Sequence, residues 1–296
     1  MPNYIIYIVI ILYVIYNLYK LKYYEASLDD NKKSIQKLLE NGYLTSLSIL
    51  PIFSETNDSY QEYFKVIDYL DSISKPGSIF RRNKMSIKIR QLSLNKEEQW
   101  RHLLDIVNYA EKKDIFIWLS AITTNTLDME YDYLMRLNSM GCKNVGITLA
   151  AYNSSVCKKI DNILTKGGHV RLVKGIYEGD IHNSDHIDKI YYENAIKLIR
   201  SGYYHTIATH DFKILKRLYD YNKKFNDYIE VAFFYNSYSY ATSMLKLFPF
   251  ENKFMSFYIP HGKHYPFLRD NIGLYSLDNI FYIIGAKING IIYDFM

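Results

Sequence analysis

The stretch VRLVKGIY, residues 170–177, decides the fold of this chain. It is an apolar β-strand that carries two cations, Arg171 and Lys174, and it ends at Gly175. Burying such a strand is costly unless its charged tip faces an anion. In a parallel barrel the carboxyl ends of the strands form the active-site face, so the stretch predicts a barrel strand that ends at a binding site.

The rest of the chain alternates between short apolar runs and helix-like segments. Eight alternating units favour a (β/α)8 barrel over an open sheet. No glycine-rich fingerprint follows any strand, which argues against a Rossmann dinucleotide site. We therefore predict an α/β protein with one barrel domain over residues 43–296 and a helical lead-in at 23–42. Strands are predicted at 43–50, 84–90, 114–120, 144–149, 169–174, 205–209, 229–234 and 254–259, with helices near 59–73, 97–112, 126–139, 153–166, 186–201, 211–223 and 237–247.

Composition excludes several classes of function. The 296 residues are 49% hydrophobic, enough for a large core. The net charge of +5 is spread out and forms no basic stripe, so no nucleic-acid partner is predicted. Cys142 and Cys157 form no CxxC motif and are expected to be free thiols. Histidine pairs with metal-like spacing have no cysteine or carboxylate cluster beside them, so we predict no metal site.

The segment YIIYIVIILYVIYNLY, residues 4–19, is uncharged and strongly apolar. It is slightly short for a spanning helix of about 20 residues, but Lys20 and Lys22 follow it directly. We favour an N-terminal membrane-anchor helix over residues 1–22, with the folded domain on the cytoplasmic side. A signal peptide fits less well, because no basic region precedes the run. The alternative is a buried helix packed on the barrel.

Six segments, in the order of the predicted strands, resemble the proline dehydrogenase family. These enzymes are FAD-dependent (β/α)8 barrels that oxidise L-proline to pyrroline-5-carboxylate by passing a hydride to flavin N5. The resemblance extends from about Ser34 to Ile272 and implies FAD as cofactor and proline, or a related amine, as substrate. The matching segments are NGYLTSLSILPIFSE, Met85–Lys88, residues 170–177, Ile207–Asp211, Glu230–Tyr235 and Phe257–Gly262.

The resemblance also implies roles for individual residues. A cation at a strand tip stabilises a carboxylate or a reduced flavin, which explains why the motifs carry basic residues at these positions. The residues expected at the substrate are Lys88, Tyr177, Tyr258 and Arg269. The residues expected at the cofactor are Arg171, Lys174, Thr209, His210 and Glu230.

The chain departs from the family pattern mainly on the substrate side. The family's last helix carries an adjacent Arg pair that grips the proline carboxylate, a bidentate clamp worth several kcal/mol. Here only Arg269 remains, and Asp270 follows it. Asp128 and Glu130 are interpreted as a solvated helix start, not as replacements for missing acids. The chain also departs from the family at five other positions. Ser120 and Ile122 stand in place of an Asp and a Glu, Ala150 and Ala232 in place of two Gln, and Glu178 in place of a Trp.

Two hypotheses about function follow. The first is a working flavoenzyme, placed beside a membrane quinone pool by its anchor. The second is an enzyme-derived barrel that has lost turnover and acts as a membrane-anchored binding or structural protein with a protein partner. The cations expected beside the flavin survive and the carboxylate clamp does not, so the sequence favours weak or lost proline oxidation over an intact activity.

The apolar run gives a first prediction. We expect the full chain to sediment with membranes and to resist a salt wash, because residues 4–19 would be inserted. A chain lacking residues 1–22 should move to the soluble fraction. Full-length protein in the salt-washed soluble pool would contradict the anchor.

Overall fold

A computed structural model describes residues 25–26, 28–49, 57–75, 77–120, 124–174, 179–222, 228–235 and 254–263. The chain alternates strand and helix throughout these ranges. The strands are β1 Glu25–Ala26, β2 Leu44–Ile49, β3 Lys84–Ile87, β4 Phe116–Ser120, β5 Val145–Ala150, β6 His169–Val173, β7 His205–Ala208, β8 Ile229–Phe234 and β9 Met255–Lys263. The α-helices are α1 Leu28–Glu40, α2 Asn57–Ile73, α3 Lys96–Glu111, α4 Thr124–Ser139, α5 Val156–Thr165, α6 Ser184–Arg200 and α7 Phe212–Asn222.

Strands β2 to β9 form a closed parallel barrel. Each strand pairs in parallel with the next along the chain, and β9 pairs in parallel with both β8 and β2, which closes the ring. The short strand β1 adds to β9 in the antiparallel sense, with Glu25 opposite Lys263. The predicted (β/α)8 barrel is therefore confirmed.

Most predicted strands agree with the structure to within a few residues. The second is shorter than expected, because β3 ends at Ile87 and the 3-10 turn Ile89–Gln91 follows. Lys88 links the two with extended backbone angles, so it continues the line of the strand. The predicted helix at 237–247, the terminal apolar segment and the N-terminal apolar run lie outside the described residues.

The barrel separates two packed regions. The larger lies between the strands and the helices and contains the outward-facing aliphatic residues of the strands. The smaller fills the amino-terminal end of the barrel interior and consists of Phe116, Trp118 and Tyr204, with Phe80 packed against them. Gly146 makes room for this plug, since a Cβ there would meet the Trp118 ring at 2.5 Å. The amino-terminal end is thus filled, which leaves the opposite end for a site.

A fully buried ion pair reinforces the same end. Lys84 Nζ donates to Glu230 Oε2 at 2.7 Å, and both side chains are almost completely buried. The hydroxyls of Tyr204 and Ser256 also donate to the Glu230 carboxylate, at 2.9 and 2.6 Å. Burial lowers the pKa of Lys84, and the adjacent Glu230 opposes that shift. Both charges are paired and hydrogen-bonded, as burial requires.

Within the described ranges, no helix combines the length and the apolar character needed to cross a bilayer. Residues 4–19 lie outside these ranges.

The buried pair gives a second prediction. Lys84→Met should lower the free energy of unfolding by about 3–5 kcal/mol, because Glu230 is left as an uncompensated buried charge. The double variant Lys84→Met/Glu230→Leu should cost clearly less than that single variant. Denaturant unfolding measures both. The exposed pair Lys216 and Asp220 is the control, since breaking it should cost under about 1 kcal/mol. Equal losses in the single and double variants would show that the pair is not coupled.

Candidate active site

Lys88 is the first candidate residue at the carboxyl-terminal end of the barrel. Side chains alternate along a strand, and in β3 Lys84 and Ser86 face the interior, where they contact Glu230 and Arg171. Lys88 is next in that series and continues the line of the strand, so its ammonium group points into the upper part of the barrel. Only 8% of its surface is exposed.

The charge state of Lys88 is shaped by this burial. Loss of water around the ammonium lowers its pKa to about 7. Among the described residues, no hydrogen bond or ion pair reaches its Nζ atom. A buried amine without a counter-ion is costly, and an anionic ligand beside it would recover part of that cost. Lys88 therefore has the properties of an anion-binding residue.

Arg171 lies near the middle of the barrel interior. It projects from β6, is 6% exposed, and donates hydrogen bonds to hydroxyl groups on β2, β3, β4 and β5. Its guanidinium also lies 5.4 Å from the Trp118 ring centroid and 5.8 Å from that of Tyr258. Arg171 thus stands between the aromatic plug below and the candidate site above.

An aromatic series connects Arg171 to His210. The Tyr258 ring meets the Phe234 ring edge-on at 5.4 Å, and Phe234 in turn stacks on His210 at 5.7 Å. The Phe234 backbone N–H donates to His210 Nε2 at 3.1 Å, so this nitrogen is an acceptor. Burial lowers the pKa of His210 to about 4, and burial raises that of Tyr258. Both rings are therefore neutral near pH 7.

Lys174 occupies a different environment, at the rim above β6. Its ammonium contacts the carboxylates of Asp188 and Asp211, each at 2.6 Å. Burial lowers the pKa of Lys174, but the two carboxylates outweigh burial and the net shift is upward. The nearby Thr209 hydroxyl accepts from the Asp211 backbone N–H at 3.0 Å. Lys174 is thus held by two acids, which lowers its capacity to attract a further anion.

The structure does not place Glu230 with the other candidates. It is the second residue of β8 and lies at the amino-terminal end, held by Lys84, Tyr204 and Ser256. The expected cofactor role does not fit this position, because the carboxylate belongs to the buried pair that fills the barrel floor. Tyr177 and Arg269 lie outside the described residues, as do Ile122, Glu178 and Asp270.

The interpretation of Asp128 and Glu130 as a solvated helix start is wrong for Glu130. Asp128 is exposed and pairs with Lys159 at 2.6 Å. Glu130 is only 2% exposed, because it lies one turn beyond Thr126 on the face of α4 that packs against the barrel. Burial raises its pKa well above the usual range. Within the described ranges its Oε2 atom has no hydrogen-bond partner.

Sequence reasoning missed the groups that support Lys88. The Tyr63 hydroxyl, from α2, accepts from the Lys88 backbone N–H at 3.3 Å and donates to Gln91 Oε1 at 2.7 Å. Gln91 Nε2 in turn donates to the Ile49 carbonyl at the end of β2. A buried tyrosine on an amphipathic helix gives no signal in the sequence, since the same pattern is typical of ordinary core residues.

The burial of Lys88 gives a third prediction. Its pKa in the folded state is depressed, so the unfolded chain binds more protons between about pH 7 and 10 and stability rises with pH across that window. Lys88→Met removes this penalty and should stabilise the ligand-free protein by a few kcal/mol at pH 7, at most about 5. The gain should shrink towards pH 10.

Denaturant unfolding of both proteins at several pH values tests this prediction. Lys197→Met is the matched control, because Lys197 is exposed on α6. A Lys88→Met protein that is less stable than the parent at pH 7, with a difference independent of pH, would contradict it.

Comparisons with known proteins agree with this geometry. The fold resembles that of proline utilization A from Bdellovibrio bacteriovorus inactivated by N-propargylglycine, with a TM-score of 0.76 and 16% identity over 89% of this chain and 33% of that one. A point variant of proline utilization A from Bradyrhizobium japonicum matches with a TM-score of 0.68 and 16% identity, over 92% of this chain and 31% of that one. The chain thus spans about a third of the length of these structures. No curated protein matches the chain significantly.

The family assignment rests on a separate match. The family model described as proline dehydrogenase covers residues 31–269. That range includes all eight barrel strands, the buried cations Lys88 and Arg171, and Tyr258. The chain belongs to the proline dehydrogenase family.

Proposed function

We propose that this barrel binds FAD at its carboxyl-terminal end and oxidises proline or a related cyclic amine slowly. The observation that carries the proposal is the buried Lys88 ammonium, which meets no anionic partner among the described residues. Together with the buried Arg171 it makes this end of the interior positive. Such a surface fits a flavin that gains negative charge on reduction, and it fits a substrate carboxylate.

The residues have separate roles in this proposal. Arg171, Thr209 and His210 would hold the cofactor, with the neutral His210 presenting a ring instead of a charge. Lys88 would hold the substrate carboxylate, and Tyr258 would provide an aromatic wall beside the substrate ring. FAD, when bound, would supply the hydride acceptor. Exclusion of water by the surrounding aromatic side chains would strengthen each charge interaction.

Slow turnover follows from how the substrate is held. A carboxylate positioned by one lysine and one arginine, Lys88 and Arg269, has no bidentate pair to fix its orientation, and Asp270 adds repulsion. Misplacement of a reacting carbon by about 1 Å can reduce a rate about a hundredfold. We propose an active but weak enzyme, with the membrane anchor bringing it to its electron acceptor.

One observation favours the second candidate function, a binding or structural protein without turnover. Lys174 was expected at the cofactor, yet its ammonium is held between Asp188 and Asp211. A barrel that has converted a cofactor cation into a structural ion pair would bind FAD weakly or not at all. It would then act through a protein partner.

The fourth prediction separates these candidates. We expect the purified full-length protein to be yellow, or to become so with added FAD, and saturating proline to bleach it anaerobically about a hundredfold more slowly than a family member with the Arg pair. Arg171→Ala should weaken FAD binding at least about tenfold, because a buried hydrogen-bonded cation is lost. Arg200→Ala, on the exposed face of α6, is the control.

The other outcomes distinguish the two candidate functions. Failure to bind FAD at any concentration would favour the binding protein. Rapid, complete bleaching would show that the clamp is replaced by another cation and that turnover is intact.

A further inference from the structure

The guanidinium of Arg171 is enclosed by four hydroxyl groups from four adjacent strands. Its Nε donates to Thr148 Oγ1 at 2.9 Å, and its Nη2 donates to Ser120 Oγ at 3.2 Å. Its Nη1 donates to Ser86 Oγ at 2.9 Å and to Ser46 Oγ at 3.4 Å. The four hydroxyl residues are all buried. We call them the hydroxyl collar.

The register of the barrel explains how the collar forms. Thr148 lies directly opposite Arg171 on the neighbouring strand, and Ser120 lies opposite Thr148 on the next. Ser86 and Ser46 continue the arc on β3 and β2, and all four side chains face the interior. The register places Ser86 opposite Trp118 and Ser46 opposite Lys84, lower than Ser120 and Thr148, and the hydroxyls of Ser86 and Ser46 still reach the guanidinium through Nη1.

Hydroxyl partners differ from carboxylate partners in one respect. Both accept hydrogen bonds from a guanidinium, but a hydroxyl is neutral and leaves the positive charge in place, whereas a carboxylate cancels it. The rings of Trp118 and Tyr258 add further contacts without adding charge. The collar thus fixes the orientation of Arg171 without itself cancelling the positive charge.

We infer that Ser46, Ser86, Ser120 and Thr148 are positioning residues, which hold Arg171 in place so that its charge acts on the negatively charged part of a bound flavin. The inference rests on the proposed function, since it requires FAD at the carboxyl-terminal end. It also gives Ser120 a role: this residue is a neutral member of the collar, and a carboxylate at the same position would neutralise the guanidinium.

The test compares three collar variants with one matched control. Thr148→Val keeps the shape of the side chain and removes the acceptor for Nε, and Ser120→Ala removes the acceptor for Nη2. Ser120→Asp keeps an acceptor and adds a charge. The control is Thr45→Val, which removes a buried hydroxyl of β2 that bonds to Asn83 at 2.9 Å, on the face directed away from Arg171. FAD affinity, flavin reduction potential and the melting temperature of the FAD-free protein are measured for each.

We expect Thr148→Val and Ser120→Ala to bind FAD about tenfold more weakly than the parent, because a buried donor loses its partner. Ser120→Asp restores the acid that the family carries at this position, so it should keep the melting temperature through the new ion pair and should lower the reduction potential, because the carboxylate offsets the guanidinium charge. Thr45→Val should lose melting temperature and retain both FAD affinity and potential.

Two outcomes would overturn the inference, and they are distinguishable. If the parent binds FAD and all the collar variants match Thr45→Val in affinity and potential, the collar is structural and the proposed function stands. If Ser120→Asp raises the potential or leaves it unchanged, the guanidinium charge does not act on the flavin. Absence of FAD binding in the parent removes the proposed function and the inference together.

Discussion

The interior of this barrel depends on the burial of one arginine. An eight-stranded barrel is just wide enough for its inward side chains to fill it, so a guanidinium near the centre must be satisfied by groups from the surrounding strands. Arg171 is satisfied by hydroxyls on β2 to β5 and by two aromatic rings. This arrangement needs small polar residues on the inward faces of four consecutive strands.

The buried lysines inside the barrel have different surroundings below and above Arg171. Lys84 and Glu230 form a complete pair, hydrogen-bonded to Tyr204 and Ser256, next to the aromatic plug. Lys88, two residues beyond Ser86 on the same inward face, has no such partner among the described residues. The two ends therefore differ in chemistry: the amino-terminal end is stabilised as a core, and the carboxyl-terminal end holds a buried cation whose counter-ion is not among the described residues.

The sequence predicted the architecture well because its strands are short, apolar and regularly spaced. The motifs drew attention to Lys88 and Arg171, which the structure buries in the barrel interior, but the sequence could not tell at which end of a strand a residue lies. Glu230 belongs to a matching segment, yet as the second residue of β8 it points into the barrel floor. The hydroxyl collar was also hidden, because Ser and Thr in strands carry no functional signal until the register places them beside one arginine.

Local charge was equally hard to predict. The sequence predicts Lys174 as a cation at a strand tip that is available to a cofactor. Only the packing of α6 and α7 brings Asp188 and Asp211 into contact with it. The sequence predicts a solvated Glu130, but this residue lies on the face of α4 that packs against the barrel and is therefore buried. In both cases the decisive partner is distant in sequence or set by helix rotation, which motif spacing does not encode.

The cost of burying Lys88 is the strongest physical argument for a ligand at this site. An ammonium whose pKa is lowered to about 7 destabilises the ligand-free fold, and the chain could avoid that cost with any apolar residue. Residues that lower stability in this way are typical of functional sites, where binding recovers the loss. Tyr63 and Gln91 are then best understood as the groups that fix the backbone at Lys88, so that the amine stays in the barrel and does not swing out to solvent.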